Sequence, residues 1–174
     1  MIIQEYVNTY GLRAIINRCG VIAGPGQFGK VDQGVFTLWV AHHYFKKSLK
    51  YTGFGGKGKQ VRDLLHPLDL FTLIKKQLAG LNEHSGHVFN VGGGYKASTS
   101  LLELTTLCQE IVGNKVAVGE EAESPSVDIP LYISDHRKVS EAFDWFPERS
   151  VSTIVADITQ WIRANEEQLK HIFA

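Results

Sequence analysis

The chain has 174 residues, 44% hydrophobic and 21% charged, ordinary proportions for one soluble globular domain with a sizeable core. Eighteen basic residues balance eighteen acidic ones, so no chain-wide field draws it to nucleic acid or to an anionic membrane, and any phosphate site must be local. Cys19 and Cys108 stand in unrelated contexts, which excludes a disulfide framework and a zinc spacing and points to a cytoplasmic protein.

No apolar run reaches the length of a membrane span, and Met1 leads directly into a helical pattern, as though the chain were entered midway. Ile2, Ile3, Tyr6, Val7 and Tyr10 share one helical face, and Gly11 supplies a stop. Residues 12–19 (LRAIINRC) are nearly continuous and β-favouring, which predicts a strand buried on both faces of a parallel sheet. The run Gly24-Pro-Gly-Gln-Phe-Gly29 matches G-x-G-x-x-G after a strand. No acid follows about twenty positions later and residues 30–34 read as loop, so it is a Gly/Pro turn rather than a dinucleotide fingerprint.

Residues 34–47 form a helix whose aromatics, Phe36, Trp39 and Phe45, suit a core or subunit contact. The adjacent His42 and His43 point to different sides and make a poor metal pair. A short strand at 49–52 feeds the densest stretch of the chain, residues 53–70 (GFGGKGKQVRDLLHPLDL). Its glycines, two lysines and arginine suggest an anion-binding loop. Gln60 stands where a P-loop needs a Ser or Thr hydroxyl for magnesium, and residues 60–63 read as extended, so NTP hydrolysis is excluded while diphosphate binding survives. Pro67 opens a helix to about Leu78, with Asp69 in its first turn. Residues 87–91 are a short buried-type strand before Gly92-Gly-Gly94. A capping box at Ser100 and Glu103 opens a helix that ends at Gly113, with Cys108 in its core face. Then come a strand at Val116 and Val118, an acidic loop at 120–128, a strand at Tyr132-Ile133, a helix at 137–143 and a last helix at 152–172.

Six segments in this order resemble one family: residues 18–25 (RCGVIAGP), Gln33-Gly34, residues 51–63 ending in Lys-Gln-Val-Arg-Asp, residues 66–70, residues 89–93 (FNVGG) and residues 132–135 (YISD). Together they resemble the carboxy-terminal half of the extended short-chain dehydrogenases, the NAD-dependent nucleotide-sugar epimerases and dehydratases. The Gly-Gln-Phe-Gly…Asp-Gln-Gly wording is most similar to the branch acting on CDP-sugars.

The resemblance implies an α/β fold: the C-terminal portion of an NAD(P)-binding Rossmann-type epimerase with its small α/β substrate-binding lobe. Residues 1–30 and 82–95 would belong to the Rossmann sheet, and 31–81 and 96–174 mainly to the lobe and flanking helices. By resemblance Arg62 holds the nucleotide diphosphate, and Gln33, Tyr51, Gln60 and Val21 lie along the nucleotide sugar. Cys19 and Gly20 pass the nicotinamide end of NAD, and Asp63, His66 and Asp69 frame the loop. No metal ligand is implied.

Two positions depart from the family pattern. Val21 stands where many relatives place an asparagine, and the segment before Asp128 lacks a second arginine. None of the six tyrosines has a lysine four residues later, and no Gly-rich NAD motif is present. The resemblance therefore implies a chain that binds a nucleotide diphosphate sugar, CDP-sugar first, holds NAD poorly or not at all alone, and is inactive by itself. The alternative is a non-enzymatic binding or assembly module. Either way the apolar residues of 2–19 would be covered by a homo-oligomer or by a separate N-terminal Rossmann half.

Overall fold

A computed structural model describes residues 2–30, 34–123 and 129–173, so Gln33 and Asp128 lie outside the described residues. Helix α1 (Ile2–Tyr10) ends where glycine predicts it: Gly11 takes φ 66° and its N–H donates to the Val7 carbonyl at 3.2 Å. The apolar face of α1 points to solvent. Ile2 and Tyr10 are 79% and 75% exposed, and no α1 residue is buried.

Strand β1 (Ile16–Cys19) is shorter than residues 12–19, and the expectation of burial on both faces is corrected. Its amino-terminal approach is tied up otherwise: Leu12 N–H bonds to the Tyr6 carbonyl, Arg13 to the Asn82 side chain, and Ala14 N–H to Ser85 Oγ. Further along, β1 pairs in parallel only with β5 (Val88–Val91), Cys19 opposite Val91. With no strand on the other edge among the described residues, Arg18 and Cys19 remain exposed.

After Gly20 the chain changes sheets. Strand β2 (Val21–Ile22) pairs in parallel with β4 (Val61–Leu65), Val21 opposite Leu64. One edge of β4 takes β6 (Ser98–Ser100), antiparallel, an element not foreseen in the sequence. The other edge takes β8 (Leu131–Tyr132) and then β2 in succession, so residues 132–134 come up against Gly20. Strands β3 (Leu49–Thr52) and β7 (Val118–Glu121) form a separate parallel pair closed by Lys50 Nζ on Glu121 at 2.9 Å. The acidic loop expected from Glu120 therefore begins later, because Glu120 and Glu121 are strand partners of Tyr51 and Thr52.

Two cores result. Helices α2 (Val35–Tyr44), α4 (Leu101–Val112), α6 (Val151–Ala164) and α7 (Glu166–Phe173) bury Trp39, Leu104, Ile158 and Leu169 against β3. Helices α3 (Pro67–Ala79) and α5 (Arg137–Phe143) bury Leu73, Val139 and Phe143 against Phe89 and Val91 of β5.

The α4 capping box forms as read: Ser100 Oγ accepts from Glu103 N–H at 3.2 Å while Glu103 Oε2 accepts from Ser100 N–H at 2.8 Å. The bonds that this carboxylate accepts from the Ser100 N–H and, at 2.7 Å, from Ser100 Oγ hold it below its usual range. Cys108 is fully buried and its thiol is pushed up to about 12 by burial, an inert core residue.

The single last helix expected at 152–172 is two helices. Asn165 leaves the helical conformation and its side chain bonds back to the Trp161 carbonyl at 2.8 Å, while Glu166 and Glu167 start α7 where negative charge is favoured.

Candidate functional site

The glycine-dense loop is built on positive φ. Gly53, Gly55, Gly56 and Gly58 all lie between 63° and 81°, conformations that a side chain strains. Three of its N–H groups are turned into the fold, not outward as an anion cradle. Gly53 donates to the Glu121 carbonyl at 2.8 Å, Gly55 to Ala122 at 3.3 Å, and Gly56 back to Gly53 at 2.9 Å. Gly58 lies flat on the Tyr51 ring, where a β-carbon would come within 2.7 Å. The loop thus joins β7 to β3 and carries Lys57 and Lys59 exposed on its surface.

The chain then enters β4 through Gln60, whose Nε2 donates to the Thr52 carbonyl at 3.1 Å and ties β4 to β3. Its Oε1 is buried without a hydrogen bond. Tyr51 faces the helical core instead of a surface. It is 8% exposed, stacked on Trp39 at 5.7 Å between ring centres, and its hydroxyl donates to Thr105 Oγ1 at 2.7 Å. Tyr51 and Arg62 lie in different sheets. Val21, half-buried, packs against the same core as Tyr51.

Arg62, half-buried in β4, donates from Nη1 to the Val61 carbonyl at 2.8 Å. It is the register partner of Tyr132 in β8, so both side chains leave the same face of the sheet. Tyr132 is 39% exposed, and its Cε1 would stand 3.6 Å from a β-carbon at Gly20. Arg62, Tyr132, Gly20 and the exposed Cys19 are thereby gathered where β1 ends and β8 gives way to β2. Tyr132 was not singled out as a site residue in the sequence. The signal was there in its place beside the Ser-Asp of the YISD segment, but only pairing with β4 gives it a neighbour.

Beneath this surface lies Asp63, with no exposed area. It accepts from Gly94 N–H at 2.9 Å and from Ser134 Oγ at 3.3 Å. The hub forbids side chains around it: a β-carbon at Gly20 would meet Ser134 Oγ at 2.7 Å, and one at Gly92 the same atom at 2.3 Å and Asp63 Oδ2 at 2.5 Å. Asp63 therefore binds together the ends of β1, β4 and β5 and the segment after β8. His66 caps α3, its Nδ1 accepting from Leu68 N–H at 3.1 Å, and Asp69 is buried in an ion pair with Arg149, whose N–H also donates to it at 3.1 Å. Dipole compensation was the sequence reading of Asp69; Arg149, eighty residues on, is the larger partner it missed.

The NAD implied by resemblance fits these residues at one end only. Exposed Cys19 and half-buried Gly20 stand at the carboxyl end of a parallel strand, the usual place for such a ligand. The pyrophosphate finds no such place at the Gly24–Gly29 turn before α2. A β-carbon at Gly29 would lie 2.7 Å from the Leu38 nitrogen, and Gln27 bridges the Ile22 carbonyl at 3.0 Å and Thr37 Oγ1 at 2.7 Å, so the start of α2 is filled by the chain itself. Among the described residues no group of three or more His, Cys, Asp or Glu could hold a metal ion, and no helix is long and apolar enough to cross a membrane.

Comparison with known proteins agrees with this architecture. The CDP-paratose 2-epimerase of Salmonella typhi is 30% identical over 164 residues, 90% of this chain and 47% of that protein. The UDP-glucuronate 4-epimerase of Thermodesulfobacterium geofontis is 26% identical over 96% of this chain and 48% of its own length. The chain spans about half the length of the curated relatives it matches. Among solved structures, the UDP-glucose 4-epimerase of Thermotoga maritima with UDP-glucose superposes with a TM-score of 0.80 at 23% identity, covering 95% of this chain and 51% of that one. The dTDP-glucose 4,6-dehydratase of Bacillus anthracis in complex with NAD gives 0.77 at 26% identity, covering 99% and 51%. The α/β arrangement, with its parallel strand pairs, is that of Rossmann-type epimerases over about half their length. The profile of the NAD dependent epimerase/dehydratase family matches residues 1–92, more than half the chain, and the chain belongs to that family.

Proposed function

We propose that these 174 residues form the nucleotide-diphosphate-sugar-binding part of an NAD-dependent epimerase or dehydratase, with CDP-sugars preferred. The observation that carries the reading is the placement of Arg62 beside Tyr132 and Gly20, at the carboxyl end of β1. A planar guanidinium matches a diphosphate through paired, charge-assisted bonds, and an aromatic ring next to bare backbone suits the sugar or ribose alongside it. Relatives that act on CDP-, UDP- and dTDP-sugars support the ligand class, and the 30% identity to a CDP-paratose 2-epimerase supports the base.

NAD, when bound, accepts hydride from the sugar and returns it. This chain's share of that chemistry is to hold the substrate at Arg62 and to offer Cys19 and Gly20 to the nicotinamide end. Residues 1–30 and 82–95 serve as Rossmann elements, and 31–81 and 96–174 as the substrate lobe. The family's Tyr-x-x-x-Lys acid/base pair is absent from these residues, so the isolated chain binds without turnover in the cytoplasm.

The experiment is calorimetric titration of the chain and of Arg62→Ala with CDP-, UDP- and dTDP-sugars. Binding that weakens by at least about tenfold in the variant is expected, the scale of one charge-assisted bond. Failure of both proteins to bind any of the three overturns the reading.

A second reading is favoured by a different observation: the apolar side of α1 is exposed and β1 has an unpaired edge among the described residues. Here the chain is a non-enzymatic assembly module whose α1–β1 surface is covered by a separate Rossmann partner or by a second copy. Light scattering across a concentration series is expected to show self-association, or association once a Rossmann partner is supplied. A chain that stays monomeric in both settings removes it.

A further inference from the structure

The joint between β4 and α3 carries a buried histidine with one ring nitrogen, Nδ1, hydrogen-bonded and the other, Nε2, without a hydrogen-bond partner. His66 is 2% exposed. Its Nδ1 accepts the Leu68 N–H, which assigns the ring proton of the neutral form to Nε2, and Nε2 stands 3.4 Å from Asp157 Oδ2. Three charged groups act on the ring: Asp157 of α6, Arg149 from the connection between α5 and α6, and Asp69 of α3. The Gly24 turn lies alongside, where a β-carbon would stand 3.5 Å from Nε2. Asp157 is itself 38% exposed.

We propose that His66 is an acid-operated latch: the neutral ring caps α3, and a proton taken up at Nδ1 uncaps it and loosens the joint between β4 and α3. The second proton has one place to go, because Nε2 already carries one. At Nδ1 it replaces the lone pair that Leu68 N–H uses, sets two donors against each other, and adds positive charge near Arg149. The strand that follows back from this joint carries Arg62 and Asp63, so the latch lies four residues from the proposed ligand arginine.

Burial first, and then the Arg149 guanidinium, hold the imidazole below the ordinary histidine range, against the pull of Asp157 and Asp69. The unfolded chain therefore binds this proton more tightly than the folded one. The stability that His66 contributes is whole above the ordinary histidine value and is lost as pH falls from there through the lowered folded value.

The test follows two signals in the full chain. Ring carbon and proton shifts report the charge on His66, and amide hydrogen exchange, referred to the intrinsic rate at each pH, reports the Leu68 cap bond. Between about pH 7.5 and about pH 4.5, Leu68 protection is expected to fall about fivefold in step with the ring, while Leu104 in α4 stays unchanged. His66→Asn keeps a side chain able to cap and is expected to hold Leu68 protection flat. Asp157→Asn removes the carboxylate facing Nε2 and is expected to move both curves together to lower pH. Leu68 protection that stays constant while the ring titrates overturns the latch, and so does an equal fall in His66→Asn. Should that variant not fold, curves that shift separately in Asp157→Asn overturn it instead.

Discussion

Thr105 Oγ1 accepts from Trp39 Nε1 at 2.8 Å and from the Tyr51 hydroxyl at 2.7 Å while donating to the Leu101 carbonyl at 2.8 Å. One hydroxyl thus satisfies two buried aromatic donors from α2 and β3. Thr105→Val keeps the shape and strands both donors, an expected loss of about 2–4 kcal/mol in chemical denaturation. Tyr51→Phe removes one donor together with its need and is expected to cost about 1 kcal/mol, with the double variant well short of the sum. Around Asp63 the opposite error is tested: Gly92→Ala drives a methyl into Ser134 Oγ and is expected to cost about 1–3 kcal/mol, part of which Ser134→Ala restores. By resemblance the sequence offered Arg62 for a diphosphate, and its four glycines in six positions read as an anion-binding loop, whereas the N–H groups of Gly53, Gly55 and Gly56 are used within the fold. The resemblance laid Tyr51 along the nucleotide sugar, but its ring and hydroxyl are both used by the core, through a contact to Thr105, a residue 54 positions away, that local sequence does not reveal.

At the scale of elements, α3 is held to the Rossmann-like strand by a reciprocal amide pair. Asn17 Nδ2 donates to Gln77 Oε1 at 2.7 Å and Gln77 Nε2 returns to Asn17 Oδ1 at 2.9 Å. Each amide leaves the other half-satisfied if removed alone, so Gln77→Ala is expected to cost about 1–3 kcal/mol and the Asn17→Ala/Gln77→Ala double variant less than the two singles together. A thermodynamic cycle measures the difference; strict additivity removes the coupling. Helix ends were the most legible features. Gly11, Pro67, Ser100 and Gly113 each act through local backbone chemistry that a few residues determine. Strands β2 and β6 were not legible, since two and three residues carry no period of their own and exist only as partners of β4. The break at Asn165 was missed for a similar reason: apolar spacing continues across it, and only the side-chain bond to Trp161 marks the end of α6.

On the scale of the whole molecule, two cores flank a mixed sheet, and the candidate site sits at the joint between them, on β4. The proposed function is compatible with zero net charge: one arginine in a defined setting would supply the attraction, with no need for a basic surface. The exposed α1 face and the unpaired edge of β1 among the described residues follow one another in the chain, and both belong to the elements proposed as part of the Rossmann sheet. Burying that face is worth about 25 cal/mol for each Å² of apolar surface covered, a direct incentive for a partner.

The proposed function lays a nucleotide diphosphate sugar across the ends of β1, β4 and β8. The most direct measurement is amide and side-chain NMR shift mapping during titration of the intact chain with a CDP-sugar. The account predicts that the largest changes fall on Gly20, Arg62 and Tyr132 and on the Gly92–Gly94 turn behind them, with Thr105 and the α2–α4 core unmoved. Changes confined to the Gly53–Lys59 loop, or no saturable change at any residue, would contradict it.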